Sequence, residues 1–303
     1  MKNSRRTFIK QASFASAALW LGGSAFKQEE GEYFLGLQLY SVRDAMAADP
    51  ADTLNKIAQI GYKYVEHANY QNGKFYGYTP SEFKKFLDSL GINMVSGHSV
   101  LDKKHWSNSS KDFTDEWKKT IADAAEAGQK YIISPWLDDS LRKTKDDLLR
   151  FLDIFNNCGR LCQKSGIKFG YHNHDFEFNT KLDGEILYDI ILKNTDPSFV
   201  VQQMDTGNMY YTGGRPEELI ERYPQRFELM HVKDEIPSEN GEMGSKYESA
   251  VLGAGEVGIE QVIKLAEAKG GTKYFIVEQE SYQGTDPLVC AEKNFSIMKS
   301  WGF

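Results

Sequence analysis

Strand-like and helix-like stretches alternate from residue 35 to the end of the chain, and this alternation restricts the fold more than any other feature. The strand-like stretches are short and apolar. We predict them at 35–40, 62–66, 92–98, 130–134, 167–172, 199–205, 227–232 and 274–278. A helix-like stretch follows each one, at 53–60, 80–90, 113–127, 145–165, 184–193, 216–223, 259–269 and 287–301.

Glycines separate several of these helices from the next strand. Gly61, Gly91, Gly128 and Gly166 stand at such positions, where glycine supplies the left-handed conformation that ends a helix. Regular βα alternation predicts a parallel sheet covered by helices. Eight units in about 270 residues fit a closed barrel better than an open sheet. We therefore predict an α/β fold, a (β/α)8 TIM barrel, as a single domain over residues 33–303.

The first 26 residues differ from the rest of the chain. Residues 4–10 read SRRTFIK, a twin-arginine export signal, and a weakly apolar stretch of small residues continues to Ala25. This stretch is short for a membrane span. We predict an export signal at 1–26, cleavage near Ala25 and a periplasmic protein. No other window of the sequence is apolar enough to predict a span.

Composition argues against several kinds of partner. The chain is 41% hydrophobic and 26% charged, as is usual for a globular protein. Its net charge of −7 provides no general basic surface, so we predict no nucleic-acid partner. The three cysteines lack zinc-finger or CxxC spacing, which predicts buried structural thiols.

Residues 171–178 read YHNHDFEF and lie at the end of the fifth predicted strand. They include two of the six histidines of the chain. Because side chains alternate along a strand, His172 and His174 point the same way. Two neighbouring imidazoles could bind a metal or carry protons. They could equally form hydrogen bonds to loop backbone only.

In a TIM barrel, functional residues lie at the carboxyl ends of the strands. The predicted strand ends carry polar and aromatic residues in every unit of this chain. They are Gln38, Tyr40, Glu66, His98, Ser134, Trp136, His172, His174, Asp205, His231, Lys233, Glu278 and Glu280. Four of the six histidines are therefore predicted on one rim of the barrel.

Asp205, His231 and Glu278 form the simplest metal-binding set, from strands six, seven and eight. One imidazole and two carboxylates suit Mn²⁺, Mg²⁺, Zn²⁺ or Fe²⁺, with positions left for substrate oxygens. A fourth ligand would come from strand five, where His172 is best phased and His174 and Glu177 are alternatives. Asp205 could instead cap the following helix, and Glu278 could form a strand-end ion pair.

Residues 253–258 read GAGEVG and match the dinucleotide-binding pattern GxGxxG. The motif follows a polar loop rather than the first strand of a βαβ unit, so its context argues against dinucleotide binding. We predict that it leads into the seventh helix.

Several segments resemble the xylose isomerase-like TIM-barrel superfamily, also described as AP endonuclease family 2-like, and in particular its sugar phosphate isomerases/epimerases. The resemblance covers about residues 33–303. Its carriers are LQLYSVR at 37–43, GYKYVE at 61–66, YHNHDFEF at 171–178, DTGN at 205–208, HVKD at 231–234 and VE at 277–278.

The resemblance implies a metal bound by an acid on strand five, an Asp on strand six, a His on strand seven and a Glu on strand eight. Asp205, His231 and Glu278 match the last three positions. Strand five instead has His172-Asn173-His174, which is similar to the branch of inosose dehydratases and 3-keto-glycoside lyases.

The resemblance further implies one divalent metal as cofactor and a small carbohydrate as substrate. The expected function is isomerisation or epimerisation through proton abstraction next to a carbonyl, which gives an enediolate. Glu66, His174 and Glu278 are the predicted acid–base residues, with His172 as a further candidate base. The predicted substrate-binding residues are Gln38, Tyr40, His98, Trp136, Glu177 and Lys233.

Three alternatives remain open: a metal-dependent lyase or dehydratase of 3-keto-glycosides or cyclitols, an abasic-site endonuclease, and a non-catalytic sugar-binding barrel. The predicted export and the lack of an arginine cluster favour a substrate without phosphate. A homo-oligomer is compatible with the sequence.

Overall fold

The computed structural model describes residues 33–303, which form one compact unit. The predicted export signal at 1–26 lies outside the described residues. Eight parallel strands close into a barrel in chain order, with β8 paired to β1. They are β1 Phe34–Gln38, β2 Tyr64–His67, β3 Asn93–His98, β4 Tyr131–Ser134, β5 Lys168–His172, β6 Val200–Asp205, β7 Leu229–Val232 and β8 Tyr274–Val277. The predicted (β/α)8 TIM barrel is confirmed.

Within residues 33–303, eight helices surround the barrel: α1 Pro50–Ile60, α2 Pro80–Ser89, α3 Asp115–Glu126, α4 Lys145–Lys164, α5 Leu187–Asn194, α6 Pro216–Arg222, α7 Ile259–Leu265 and α8 Pro287–Ser300. A π-helical turn, Ala266–Gly270, extends α7. None of the helices between residues 33 and 303 combines the length and the apolarity needed to cross a membrane.

Smaller elements occupy the connections that follow the barrel strands. Short helices span Arg43–Ala48, Phe176–Asn179 and Thr206–Tyr210, and 3-10 turns span Leu39–Val42, Lys103–His105, Asp139–Leu141 and Glu242–Gly244. Two-stranded hairpins pair Tyr70–Gln71 with Lys74–Phe75, Trp106–Ser107 with Asp112–Phe113, Lys181–Leu182 with Glu185–Ile186, and Asp234–Pro237 with Tyr247–Ala250. These connections build the face of the barrel at which the strands end.

Local capping moves some helix boundaries from their predicted positions. Helix α1 begins three residues early, because Asp49 accepts a hydrogen bond from the Asp52 amide (3.0 Å) and Pro50 fills the first helical position. Helix α5 begins three residues late, because residues 185 and 186 pair in a hairpin. The four predicted glycine stops have positive φ values, with Gly166 at 75° and Gly61 at 121°.

The interior of the barrel changes character from one end to the other. The part nearer the beginnings of the strands is apolar and includes Val201, Leu229 and Ile276. Two residues further along the same strands, the inward positions are Gln203, His231 and Glu278. Apolar packing between barrel and helices forms the larger core, which includes the free, buried Cys158 and Cys162. The fold therefore concentrates buried polar groups at one end of the barrel.

The GAGEVG segment wraps around a carboxylate of the chain itself. Asp234 Oδ2 accepts hydrogen bonds from the amides of Gly253 (2.8 Å) and Gly255 (2.9 Å), and Oδ1 accepts one from Val257 (3.2 Å). A Cβ on Gly255 would lie 2.3 Å from Asp234 Oδ1, so a side chain has no room there. The motif thus anchors the segment before α7, with a carboxylate where a dinucleotide site would hold a phosphate.

Candidate metal centre

Barrel register aligns the inward polar residues across neighbouring strands. Asp205 at the end of β6 pairs with His231 on β7, and Gln203 pairs with His172 on β5. On the opposite side, Gln38 of β1 pairs with Glu66 of β2. Because the barrel is closed, these side chains converge on its axis.

Asp205, His231 and Glu278 offer donor atoms that lie within 4.8 Å of one another. His231 Nδ1 lies 3.1 Å from Glu278 Oε2 and 3.6 Å from Asp205 Oδ2. Asp205 Oδ1 accepts a hydrogen bond from the Asn208 amide (2.7 Å) and caps the short helix Thr206–Tyr210. Its Oδ2 is buried without a hydrogen-bond partner. The carboxylate therefore caps a helix with one oxygen and leaves the other available to a ligand.

Negative charge surrounds His231. Burial alone would lower the pKa of this imidazole, but the carboxylates of Glu278 and Glu66 outweigh it and hold the pKa well above the usual range. Asp205 raises it further. Protonated His231 balances part of this negative charge, together with the ammonium group of Lys233, which lies 3.9 Å from Glu278 Oε2. The unpartnered Asp205 oxygen and this excess of carboxylate fit a divalent metal ion.

His172 is the residue of β5 that reaches this group. Its Nδ1 lies 3.1 Å from Gln203 Oε1, and its Nε2 lies 3.9 Å from Asp205 Oδ2. Gln203 Nε2 donates to Glu66 (2.7 Å), so the amide oxygen is the atom that faces His172. An amide oxygen only accepts, hence His172 Nδ1 carries the proton and Nε2 presents its lone pair towards Asp205.

Glu66 lies behind His231 and binds donors with both oxygens. Oε1 accepts hydrogen bonds from Gln38 Nε2 and His231 Nε2, both at 2.6 Å. Oε2 accepts from Gln203 Nε2 (2.7 Å) and from the Ser96 hydroxyl. This arrangement fixes the ring of His231 so that Nδ1 faces Asp205 and Glu278, as carboxylates do behind metal-binding histidines.

Ser96 and Gln203 are site residues that the sequence reasoning missed. A bulge shifts the register of β2 and β3, so that Glu66 lies opposite Ser96. Gln203 precedes Asp205 by two residues and faces the same interior. That period-two spacing was the available signal for Gln203, whereas no pattern in the sequence marks a bulge.

His98 forms the boundary between the centre and the open rim. Its Nε2 lies 3.0 Å from Gln203 Oε1 and 3.1 Å from Glu66 Oε1. Its ring stacks on that of His231, with centroids 5.3 Å apart and an interplanar angle of 18°. His98, His172 and His231 form a second group whose nitrogens lie within 4.8 Å of one another. The side chain keeps 15% exposure, so it can contact a bound molecule.

Lys233, predicted to bind substrate, is fully buried in a polar cage beside the centre. Its Nζ donates to Glu280 Oε1 (2.5 Å) and Asn208 Oδ1 (3.1 Å), and lies 3.3 Å from Glu242 Oε2. Burial opposes its charge, but Glu280 and the other nearby acids hold the pKa well above the usual range. Lys233 Nζ also lies 3.9 Å from Glu278 Oε2. The ammonium group of Lys233 therefore stabilises the charge of Glu278, and its burial keeps it from contacting a ligand.

Glu177, named as an alternative ligand and as a substrate contact, is enclosed away from the centre. Its carboxylate accepts hydrogen bonds from the Tyr171 hydroxyl and from the His174 amide (3.0 Å). Because it is fully buried, its pKa rises to about 7. The short helix Phe176–Asn179 turns this side chain towards Tyr171, which faces outward from β5. Its contacts stabilise the connection after β5.

Tyr40, Trp136 and His174 lie on the rim. Tyr40 and Trp136 are 42% and 38% exposed. The ring of His174 lies 5.4 Å from Trp136 and 5.1 Å from His172, centroid to centroid. Burial lowers the pKa of His174 to about 4, and its Nδ1 is buried without a partner. His174 is thus a neutral imidazole beside His172, and its Nδ1 has no hydrogen-bond partner.

Comparison with known proteins identifies a matching family model and several similar proteins. The family model described as xylose isomerase-like TIM barrel matches residues 54–301. An inosose dehydratase of Geobacillus kaustophilus is 26% identical over 198 residues, which are 60% of this chain and 60% of that protein. An inosose dehydratase of Clostridium beijerinckii is 25% identical over 257 residues, 78% of this chain and 82% of that protein.

One solved structure, a sugar phosphate isomerase/epimerase from Parabacteroides distasonis, superposes with a TM-score of 0.75 at 26% identity. The match covers 90% of this chain and 98% of the other. The family model spans most of the chain, and the closed barrel and the polar strand ends agree with it. On these grounds the chain belongs to the xylose isomerase-like TIM barrel family.

Proposed function

We propose that this protein is a divalent-metal-dependent lyase or dehydratase that removes a proton next to the carbonyl group of a carbohydrate. The observation that carries the proposal is the convergence of Asp205, His231 and Glu278, with one carboxylate oxygen left unpartnered inside the barrel. These three residues and His172 would hold the metal. When bound, the metal supplies Lewis acidity, which polarises a carbonyl and makes the neighbouring C–H more acidic.

His174 is the residue best suited to move the proton. It is neutral, and Nδ1 has no partner. In the proposed reaction, His174 takes the proton from the carbon next to the carbonyl, and the electron pair of that C–H bond forms a C=C bond. The C–O bond at the next carbon breaks, and its electron pair leaves with the oxygen. The imidazolium then returns the proton to that oxygen, which releases water or an alcohol.

Glu66, predicted from sequence as an acid–base residue, has a positioning role in this scheme. Burial would raise its pKa, but His98 and His231 hold it well below the usual range. A carboxylate whose two oxygens both accept hydrogen bonds from neighbouring side chains is poorly placed to take a proton from a substrate, whereas Nδ1 of His174 has no such partner. Glu66 instead keeps the ring of His231 oriented, and Glu278 contributes as a ligand.

From the sequence we expected isomerisation or epimerisation, with elimination as an alternative. We now propose elimination as the first candidate. Epimerisation returns the proton to the opposite face of the carbon, and isomerisation also moves a proton between the two substrate oxygens, so a second free acid–base group would serve both reactions. Among the described residues, Glu66 and Glu177 are both engaged by donors. One imidazole is enough for an elimination in which the same group takes and returns the proton. The inosose dehydratase relatives also support elimination.

An isomerase or epimerase is the second candidate, because the Parabacteroides protein that resembles this chain carries that name. The predicted export signal bears on the substrate of either reaction. Sugar phosphates are cytoplasmic metabolites, so we propose a neutral keto-sugar, keto-glycoside or keto-cyclitol and a periplasmic location.

Product analysis in D₂O distinguishes the two reactions. Protein loaded with Mn²⁺ is incubated with 3-keto-glucosides and with an inosose, and the products are followed by NMR. We expect an unsaturated ketone together with released alcohol or water. A saturated sugar isomer would support the second candidate. If no substrate gives either an unsaturated ketone or deuterium next to the carbonyl, both candidates are contradicted.

His174→Ala tests the proton-transfer step. We expect the variant to keep its metal and to lose about 10²–10⁴-fold in kcat, the usual contribution of a general acid–base group. Loss of metal together with activity would mean that His174 is a ligand rather than the acid–base residue.

A further inference from the structure

A cleft of about 610 Å³ lies beside the metal centre. It is formed by the connection after β2, the connection after β3 and the first turns of α3, at residues 68–73, 98–100, 104–105, 116–117 and 119–120. Its volume is in the range of about 300–1,000 Å³ that is usual for small-molecule pockets. His98 belongs to both places, since it lines the cleft while its Nε2 contacts Glu66 in the centre.

The two lysines that line the cleft already face carboxylates. Lys119 Nζ lies 2.6 Å from Asp123 Oδ2, one turn further along α3. Lys104 Nζ lies 3.7 Å from Glu116 Oε1, and His105 Nε2 lies 3.9 Å from the same oxygen. A phosphate or carboxylate group of a ligand would therefore meet each cation together with an anion. The charge balance favours a neutral ligand.

The other lining groups suit a polyhydroxylated ligand. Asn69, Gln71 and Asn72 present amides, which both donate and accept hydrogen bonds. Val100 is 43% exposed and adds an apolar surface. Amides beside a small apolar surface match the alternating hydroxyl and C–H groups of a sugar ring.

We propose that this cleft binds the departing half of the substrate, a neutral glycosyl unit, while the carbonyl-bearing ring occupies the metal centre. This inference rests on the proposed function and specifies its substrate as a disaccharide or longer glycoside. The C–O bond that breaks joins the two units, and the electron pair leaves with the oxygen of the departing sugar. That oxygen takes the proton from His174, and an intact sugar is released.

Binding measurements test the cleft without requiring catalysis. The probes are glucose and the disaccharides maltose, cellobiose, sucrose and trehalose, titrated into Mn²⁺-loaded protein and followed by calorimetry and saturation-transfer NMR. We expect at least one disaccharide to bind about tenfold more tightly than glucose, a difference of about 1.4 kcal/mol. Equal affinity for glucose and all four disaccharides would overturn the inference.

Val100→Trp fills the cleft, and Val289→Trp is its matched control. Val289 lies on α8 and is 42% exposed, so it places the same bulky side chain elsewhere on the surface. Val100→Trp should reduce the affinity for the preferred disaccharide to that for glucose, whereas Val289→Trp should not change it. Unchanged disaccharide binding in Val100→Trp would place the second sugar outside the cleft.

Two further outcomes separate this inference from the proposed function. Tighter binding of glucose 1-phosphate than of any disaccharide would contradict a neutral ligand, while leaving the reaction type untouched. Disaccharide binding that Val100→Trp abolishes, together with no unsaturated ketone and no proton exchange from any keto-sugar, would support the cleft and contradict the proposed reaction.

Discussion

Substitution of Gln203 tests how neighbouring side chains orient the residues of the metal centre. This buried side chain links three groups: its amide nitrogen donates to Glu66 (2.7 Å), and its oxygen lies 3.0 Å from His98 Nε2 and 3.1 Å from His172 Nδ1. Gln203→Met keeps a similar volume and removes all three hydrogen bonds. His172 would then lose the partner that fixes its tautomer.

The expected effect is larger on metal affinity than on the fold. Removing a group that orients a metal-binding histidine weakens metal binding by about 10–100-fold, which equals about 1.4–2.8 kcal/mol. Glu66 retains Gln38 and His231 as donors. The cost to folding therefore comes mainly from His172 Nδ1, left buried without an acceptor, and is about 1–3 kcal/mol.

Gln202→Met is the matched control. Gln202 is equally buried but faces the helices, where its two hydrogen bonds, with Tyr188 and Thr195, are both 3.4 Å long. Zn²⁺ affinity is measured by competition with a chelator, and unfolding by urea. Gln203→Met should bind Zn²⁺ about 10–100-fold more weakly, and Gln202→Met should match wild type. Wild-type affinity in Gln203→Met would refute the proposed arrangement.

Two further predictions concern stability. Burial raises the pKa of Glu177 from 4.5 to about 7, so the native state holds a proton that the unfolded chain releases. This contribution is complete below pH 4.5 and falls by about 3 kcal/mol as the pH rises through 7. Glu177→Gln should remove that slope in urea unfolding between pH 5 and 8, and an unchanged slope would contradict it. Asp234→Ala should lower the free energy of unfolding by about 3 kcal/mol, because the carboxylate accepts hydrogen bonds from the amides of Gly253, Gly255 and Val257. The variant should keep its metal. Wild-type stability in urea unfolding would contradict this prediction.

The fold could be predicted because its signals are local. Each strand is a short apolar run, and glycines such as Gly91 mark where a helix stops. Once the strands are assigned, the residues at their carboxyl ends can be read from the sequence. The period of two along a strand then indicates that His172, Asp205 and His231 face inward. Helix starts were less accurate, since they depend on caps and on short hairpins such as residues 181–186.

The roles of the residues that surround the metal ligands could not be predicted from the sequence. Gln203 becomes important only because barrel closure brings β2, β3, β5 and β6 around one axis. Ser96 meets Glu66 because of a bulge, which no sequence pattern announces. Glu66 and Lys233 carry the right chemistry for catalysis or substrate binding, but only their contacts reveal that both are enclosed. The cleft beside His98 likewise arises from two connections of irregular structure.

Elemental analysis tests the central claim most directly. After loading with Mn²⁺ or Zn²⁺ and dialysis, the protein should retain about one divalent ion per chain, as expected for one open site. Asp205→Ala and His231→Ala, each folded by circular dichroism, should retain almost none, while Gln202→Met should match wild type. Full metal content in both ligand variants, or none in the wild-type protein, would contradict a metal centre at the ends of β5 to β8.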